Sequence, residues 1–181
     1  SPLATMIGGL EGILQEPCGC FEQASSSNYP NIMVLGYLKE YNVADSSILK
    51  RSYELLDRGY KKVAGYECTE KGYEWFGGNP GHEALTAYGV MEFCDMLGVY
   101  EKTDPAMIAR TTSWLASRRD GQGGYQRNSR ALDAFGGASP EITNAYITYA
   151  LSEAGQKDIQ VELQALQKLA ENSQDPYFLA L

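Results

Sequence analysis

The chain has 181 residues, enough for one domain with a sizeable core, and its 44% hydrophobic and 21% charged residues are ordinary for a globular protein. Its formal net charge of −8 argues against a nucleic-acid or anionic-membrane partner. No apolar run approaches the roughly 18–20 residues that span a bilayer, and the opening Ser1-Pro2-Leu3-Ala4-Thr5 has neither the basic stretch nor the apolar core of a targeting signal.

Helical patterning dominates. Ile32, Met33, Leu35 and Leu38 set a first helix running from about Asn28 or Asn31 to Tyr41. Asp45 or Ser46 caps a second, whose apolar side is Ile48, Leu49, Tyr53, Leu55 and Leu56. A glycine- and aromatic-rich loop, Gly65 to Gly81, precedes a helix from about His82 to Leu97. Thr103-Asp104-Pro105 is a cap followed by a first-turn proline, opening a helix to about Ser117 that Asp120-Gly121-Gln122-Gly123-Gly124 breaks. Ser139-Pro140 repeats the cap-plus-proline start for a helix to about Ala154, which Gly155 ends. An amphipathic helix from about Ile159 to Glu171 follows, and Pro176 to Leu181 reads as another helix cut short. No segment alternates like a strand over more than four residues.

These helices pair. One member of each later pair is apolar and rich in small residues (Glu83 to Leu97, Glu141 to Leu151), and the other is amphipathic and charged (Ala106 to Arg118, Asp158 to Glu171). Glu83, Ala87 and Tyr88 recur as Glu141, Ala145 and Tyr146 at one constant offset, and Gly72-Tyr73 recurs as Gly124-Tyr125. The expected fold is therefore all-α, a partial α/α toroid of helical hairpins with apolar helices inside and amphipathic ones outside. All inner helices would then point the same way. The segments before them (Pro17 to Ser27, Gly77 to His82, Arg130 to Pro140) would gather at one end.

Four cysteines, Cys18, Cys20, Cys68 and Cys94, are too few for a disulfide scaffold in a chain this long. Cys94, in the apolar stripe from Met91 to Met96, reads as a buried free thiol. Cys18-Gly19-Cys20 is at most a weak redox or metal pair. With one histidine in the chain and the other cysteines distant, a four-ligand zinc site lacks support, so no metal and no cofactor is expected. The stretch Glu16-Pro17-Cys18-Gly19-Cys20-Phe21-Glu22-Gln23 carries more information. Cys20 and Gln23 stand at i and i+3 and face each other across one turn, so a short side-chain ring can close. Gly19 permits a tight backbone approach that a Cβ would hinder.

The run Pro17-X-Gly19-Cys20-X-Glu22-Gln23 resembles the hallmark of the thioester-containing proteins, the α2-macroglobulin/complement family, with Phe21 where glycine is commonest. Leu85-Thr86-Ala87-Tyr88 and Thr143-Asn144-Ala145-Tyr146-Ile147 are similar to that family's inner-helix signature, and Trp114-Leu115 with Asp120-Gly121 to its outer-helix end and turn. The resemblance implies an internal thioester between the Cys20 sulfur and the Gln23 side-chain carbonyl, supported by Pro17, Gly19 and Glu22. A thioester is a better acyl donor than an amide, and a pre-positioned one needs no further activation. The resemblance also implies that residues 1–181 are the N-terminal part of a thioester domain, truncated at its C-terminus. The parent would be an α2-macroglobulin-like broad-spectrum protease inhibitor, secreted or in a bacterial periplasm. It would be a single-turnover covalent trap rather than an enzyme. After bait-region cleavage, target proteases or surfaces would be captured through lysine amines, and the parent's other domains would be its further partners.

Complement-type members carry a histidine before a later inner helix; the matching stretch, Ser129 to Gly137, has none, which by resemblance implies a preference for amines. The lone His82 begins an inner helix at the same end, either as base or acyl acceptor or as a residue bonding its own turn. Asp133, Glu83 and Glu141 are lesser acid/base candidates. By resemblance, Tyr66, Tyr73, Trp75 and Phe76 would shield the thioester from water; the alternative is simple loop packing. A disulfide through Cys18 would pair with Cys68, which lies in the loop region before the second inner helix. Two other readings stay open: an α/α-toroid hydrolase using paired carboxylates, and a helical interaction module or opsonin-like surface tag.

Overall fold

A computed structural model describes residues 2–128 and 138–181, which form helices α1 (Pro2–Ile13), α2 (Phe21–Glu40), α3 (Ser46–Ala64), α4 (Glu83–Val99), α5 (Pro105–Ser117), α6 (Pro140–Glu153), α7 (Gln160–Ala170) and α8 (Pro176–Ala180). The hairpins α2–α3, α4–α5 and α6–α7 stack side by side, with α4 packed against both α2 and α6. Helix α4 buries residues around most of its circumference, as an inner helix must. One core cluster joins α2, α3 and α4 through Phe21, Leu35, Leu56, Val63, Tyr73, Phe93 and Met96. A second joins α4, α5 and α6 through Val90, Leu115, Ile147 and Leu151. The expected all-α array of hairpins is thus present, and among the described residues there is no strand, only isolated bridges.

Local rules placed most boundaries. Asp45 accepts hydrogen bonds from the Ser47 and Ile48 amides, Asp104 from Ala106 and Ser139 from Ile142, with Pro105 and Pro140 filling first-turn positions whose amides lack helical partners. Two expectations need correction. Helix α2 begins at Phe21, not at Asn28 or Asn31, so the Cys20 motif forms its first turn instead of preceding it. Ser25-Ser26-Ser27-Asn28 is a poor helix former. However, Ser25 and Asn28 are buried against α4, and the Ser27 hydroxyl donates to the Gln23 carbonyl at 2.8 Å; tertiary packing overrides propensity. Helix α1 has no counterpart in the sequence reading. Its glycines 8, 9 and 12 lower its propensity, and it is held by Ile7, Leu10 and the following Leu14 against Val34, Leu38, Ile48 and Leu55.

The internal repeat has a structural basis. Glu67 bridges Tyr73 and Arg119 bridges Tyr125, each closing a turn after an outer helix. The amide of each tyrosine then donates to the first part of the next inner helix: Tyr73 to Thr86 Oγ1 at 2.9 Å and Tyr125 to Asn144 Oδ1 at 3.3 Å. The partners are 13 residues apart in the first case and 19 in the second, so the repeat's extra length lies between the turn and the inner helix. The starts of the inner helices share one end, as expected. The Phe21 amide donates to the Trp75 carbonyl at 2.8 Å, and the Asn128 amide to Glu83 Oε2 at 3.3 Å.

Between α2 and α4 the core turns polar. Ser25, Asn28 and Glu92 are fully buried. Asn28 Nδ2 donates to Glu92 Oε1 at 2.8 Å, and the Asn28 carbonyl presses on Gly59 of α3, where a Cβ would overlap it. Asn28 Oδ1 and Glu92 Oε2 lack hydrogen-bond partners. Burial pushes the Glu92 carboxyl up from 4.5 to about 7, against the opposing pull of Ser25 and Asn28. A raised folded-state value means that the native chain keeps a proton the unfolded chain has released, so stability falls as pH rises through this window. Glu92→Gln, whose amide can donate to the unpartnered oxygens, should therefore stabilise the protein at pH 8 by about 3 kcal/mol. At pH 5 thermal melts should show a far smaller gain. Equal gains at both pH values would remove Glu92 ionisation as the cause.

Candidate functional site

The approach to α2 is fixed before the motif begins. Asn31, fully buried, clamps Gln15: the Gln15 amide donates to Asn31 Oδ1 at 2.9 Å, and Asn31 Nδ2 donates to the Gln15 carbonyl at 2.8 Å. Arg58 makes a two-pronged pair with Glu16, both contacts at 2.8 Å. Pro17 is buried, and Gly19 turns the chain at φ +79°, a conformation that glycine adopts at no steric cost. The Tyr66 hydroxyl donates to the Gly19 carbonyl at 2.6 Å.

Cys20 is the N-cap of α2 and Gln23 its third helical residue. The Gln23 side chain folds back so that Oε1 accepts the Cys20 amide at 3.1 Å, and the Cys20 side chain sits against the Gln23 amide, the reciprocal arrangement of a capping box. The Gln23 side chain lies directly on Gly19: a Cβ there would sit 2.8 Å from Gln23 Cβ and 2.9 Å from Cδ. Two independent constraints, the backbone angle and this contact, thus require glycine. The amide donor at a helix N-terminus also stands where negative charge on the Gln23 carbonyl oxygen would be stabilised.

Phe21 is the anchor of this turn. Its ring is fully buried, 5.0 Å from the Tyr73 ring and 6.2 Å from that of Tyr66, and it fits because Gly89 of α4 has no side chain. Burying such a ring contributes about 2–3 kcal/mol. Glu22 points the other way, and its Oε2 accepts Trp75 Nε1 at 2.9 Å. Gln15, Cys20, Glu22, Gln23, Ser26, Ser27 and Trp75 surround an open cleft of about 490 Å³.

The remaining sequence candidates separate. Trp75 lines the cleft and Tyr66 braces the motif, whereas Tyr73 is core and Phe76, 73% exposed, does not fold over the cysteine as a shield would. His82 caps α4: its Nδ1 accepts the Leu85 amide at 3.2 Å, and its ring lies edge-on to Trp75 at 4.9 Å. It does not line the Cys20 cleft but borders a smaller pocket with Glu83, Arg127, Asn128 and Thr143. Glu83 is buried and paired with Arg118 at 2.9 Å, so it acts as a structural ion; Glu141 is exposed, its carboxyl held below the usual range by the Ser139 hydroxyl. Asp133 lies outside the described residues.

The expected Cys18–Cys68 bridge is not formed. Cys18 is an exposed thiol, while Cys68 is buried, donates to the Gly78 carbonyl at 2.7 Å, and is pushed up to about 11 by that burial. Cys94 is likewise free and half-buried. Among the described residues no group of three potential ligands could hold a metal ion. The Asn31 clamp, the Gly89 niche and the Glu22–Trp75 bond were missed by the sequence reading. Of these, Gly89 alone left a signal, as a glycine inside an apolar helix.

A sequence model of the A-macroglobulin TED domain matches residues 1–181. The chain is 28% identical over 125 residues to thioester-containing protein 1 allele R1 of Anopheles gambiae, and 26% identical over 154 residues to allele S3 of the same protein. These matches cover 69% and 83% of this chain but only 9% and 12% of the two relatives, so the chain spans about a tenth of their length.

Because a Cβ on Gly89 would lie 2.9 Å from Phe21 Cζ, Gly89→Ala should lower stability by about 1–3 kcal/mol. Adding Phe21→Leu should recover part of that loss. Strict additivity in a double-mutant cycle followed by denaturant unfolding would contradict the niche.

Proposed function

The chain belongs to the A-macroglobulin TED-domain family, and from that premise we propose that it is a single-use covalent acyl donor whose reactive bond joins Cys20 Sγ to Gln23 Cδ. The ring would close by attack of the sulfur on the side-chain amide carbon with loss of ammonia. It would open when a nucleophile takes the acyl group and Cys20 leaves as a thiol. The observation that carries this reading is the Gln23 side chain folded back onto Cys20 across one turn, with its carbonyl oxygen already on the Cys20 amide.

The proposed role in the parent protein is protease inhibition of the α2-macroglobulin kind. Cleavage of a bait segment elsewhere would expose the cleft, and lysine amines of the attacking protease would be acylated. The relatives' greater length supports such neighbouring domains, and the open cleft is a surface they could cover against hydrolysis. A preference for amines is supported by the absence of histidine between Ser129 and Gly137 and by the engagement of His82 Nδ1 in capping α4. Such a trap works outside the cytoplasm, secreted or in a bacterial envelope. Among the described residues no helix is long and apolar enough to cross a membrane.

The test is intact mass with thiol titration on the full-length parent. The native protein should be one ammonia lighter than its sequence, with Cys20 untitratable, and methylamine should add one equivalent while releasing one thiol. Gly19→Ala should abolish both the mass deficit and the uptake. A native mass equal to the sequence mass, with Cys20 freely titratable, would exclude the thioester.

A further inference from the structure

Among the described residues that border the Cys20 cleft, Glu22 is the only carboxylate, and there is no lysine, arginine or histidine. Its position is fixed at both ends. It sits next to Gln23 in the first turn of α2, and its Oε2 accepts the Nε1 proton of Trp75, an indole only 9% exposed and therefore unable to swing away. One carboxylate oxygen is thereby tethered, while a carboxylate has a second oxygen with lone pairs to spare. Glu22 itself is solvent-exposed, so an incoming group can reach it. Within the same turn the Gln23 carbonyl oxygen takes the Cys20 amide, so the acyl group and the tethered carboxylate border one cleft.

Resting on the thioester reading above, we infer that Glu22 is a catalytic residue that selects alkylammonium nucleophiles, such as a lysine side chain, and takes the proton that such a cation must lose before it can attack. An ammonium group carries no lone pair, whereas it is drawn to an anion in a cleft that presents no competing cation. One N–H proton passes to Glu22. The neutral nitrogen adds to Gln23 Cδ, with the developing oxyanion on the Cys20 amide. The C–S bond then breaks, its electron pair stays on sulfur, and the second proton lost by nitrogen ends on Cys20. The products are an amide at Gln23, a Cys20 thiol and a protonated Glu22, so protons and electrons balance without any added reagent. Trp75 acts as a positioning residue through the hydrogen bond that aims the carboxylate.

The alternative is that Glu22 merely complements the helix dipole. A comparison of nucleophiles in the full-length parent separates the two roles. Glu22→Gln retains an acceptor for Trp75 Nε1 but neither the charge nor the basic site. At neutral pH its rate of thiol release with methylamine, a cation, should fall on the order of 100-fold, while with hydroxylamine, mostly uncharged, it should change by less than about threefold. An equal fall for both nucleophiles, or no fall for either, would overturn the assignment. Should Glu22→Gln fail to close its ring, Trp75→Phe, which keeps the aromatic wall and removes only the N–H, carries the same comparison and should lose rate with methylamine alone. Wild-type protein with no ammonia deficit and no thiol release would instead overturn the thioester itself.

Discussion

The Gln23 side chain, folded back along the first turn of α2, is the constraint on which the reactive end of this molecule depends. In water a glutamine side chain samples many rotamers, and holding one of them has an entropic cost of about 1–2 kcal/mol. Here the Cys20 amide holds the carbonyl oxygen and the bare face of Gly19 receives the methylenes. The same hydrogen bond serves two purposes. It caps the helix, satisfying an amide that would otherwise lack a partner, and in the proposed reading it holds the acyl group next to its cysteine. In the proposed reading, a structural device common at helix starts is the template for a covalent ring.

The proposed chemistry needs that turn held in place, and the surrounding contacts come from three directions. Asn31 and Arg58 fix the incoming chain at Gln15 and Glu16. Phe21 drives the turn into the α2–α4 junction at Gly89, and Tyr66 holds the Gly19 carbonyl. Trp75 links the motif to α4, since it bonds Glu22 on one side and meets the His82 cap on the other. The starts of α4 and α2 are therefore joined through one side chain, which ties the motif to the hairpin array behind it.

Much of the fold was legible because its signals are local. Asp104-Pro105 and Ser139-Pro140 start helices through capping chemistry within a few residues, and the paired tyrosine turns recur visibly along the chain. The motif itself was legible for the same reason, since a ring between positions i and i+3 needs nothing distant. What was not legible depends on packing. The serine-rich start of α2 and the glycine-rich α1 are helical through what they bury, against their own propensities. The Cys18–Cys68 pairing was inferred from loop position, which carries no information about exposure, and the exposed and buried environments of those two thiols differ. Phe76 and Trp75 are adjacent in sequence, yet one faces solvent and the other the cleft; the Glu22 bond, 53 residues away along the chain, and the His82 ring distinguish them.

In the proposed chemistry one carbonyl, that of Gln23, is the acyl centre and one sulfur, that of Cys20, its leaving group. Tandem mass spectrometry of peptides from methylamine-treated full-length protein, alkylated without prior reduction, tests it most directly. The expected product is a peptide with a methylamide on residue 23 and an alkylated thiol on residue 20, both missing from untreated protein. Methylamine on any other residue, or Cys20 alkylated equally with and without amine, would contradict it.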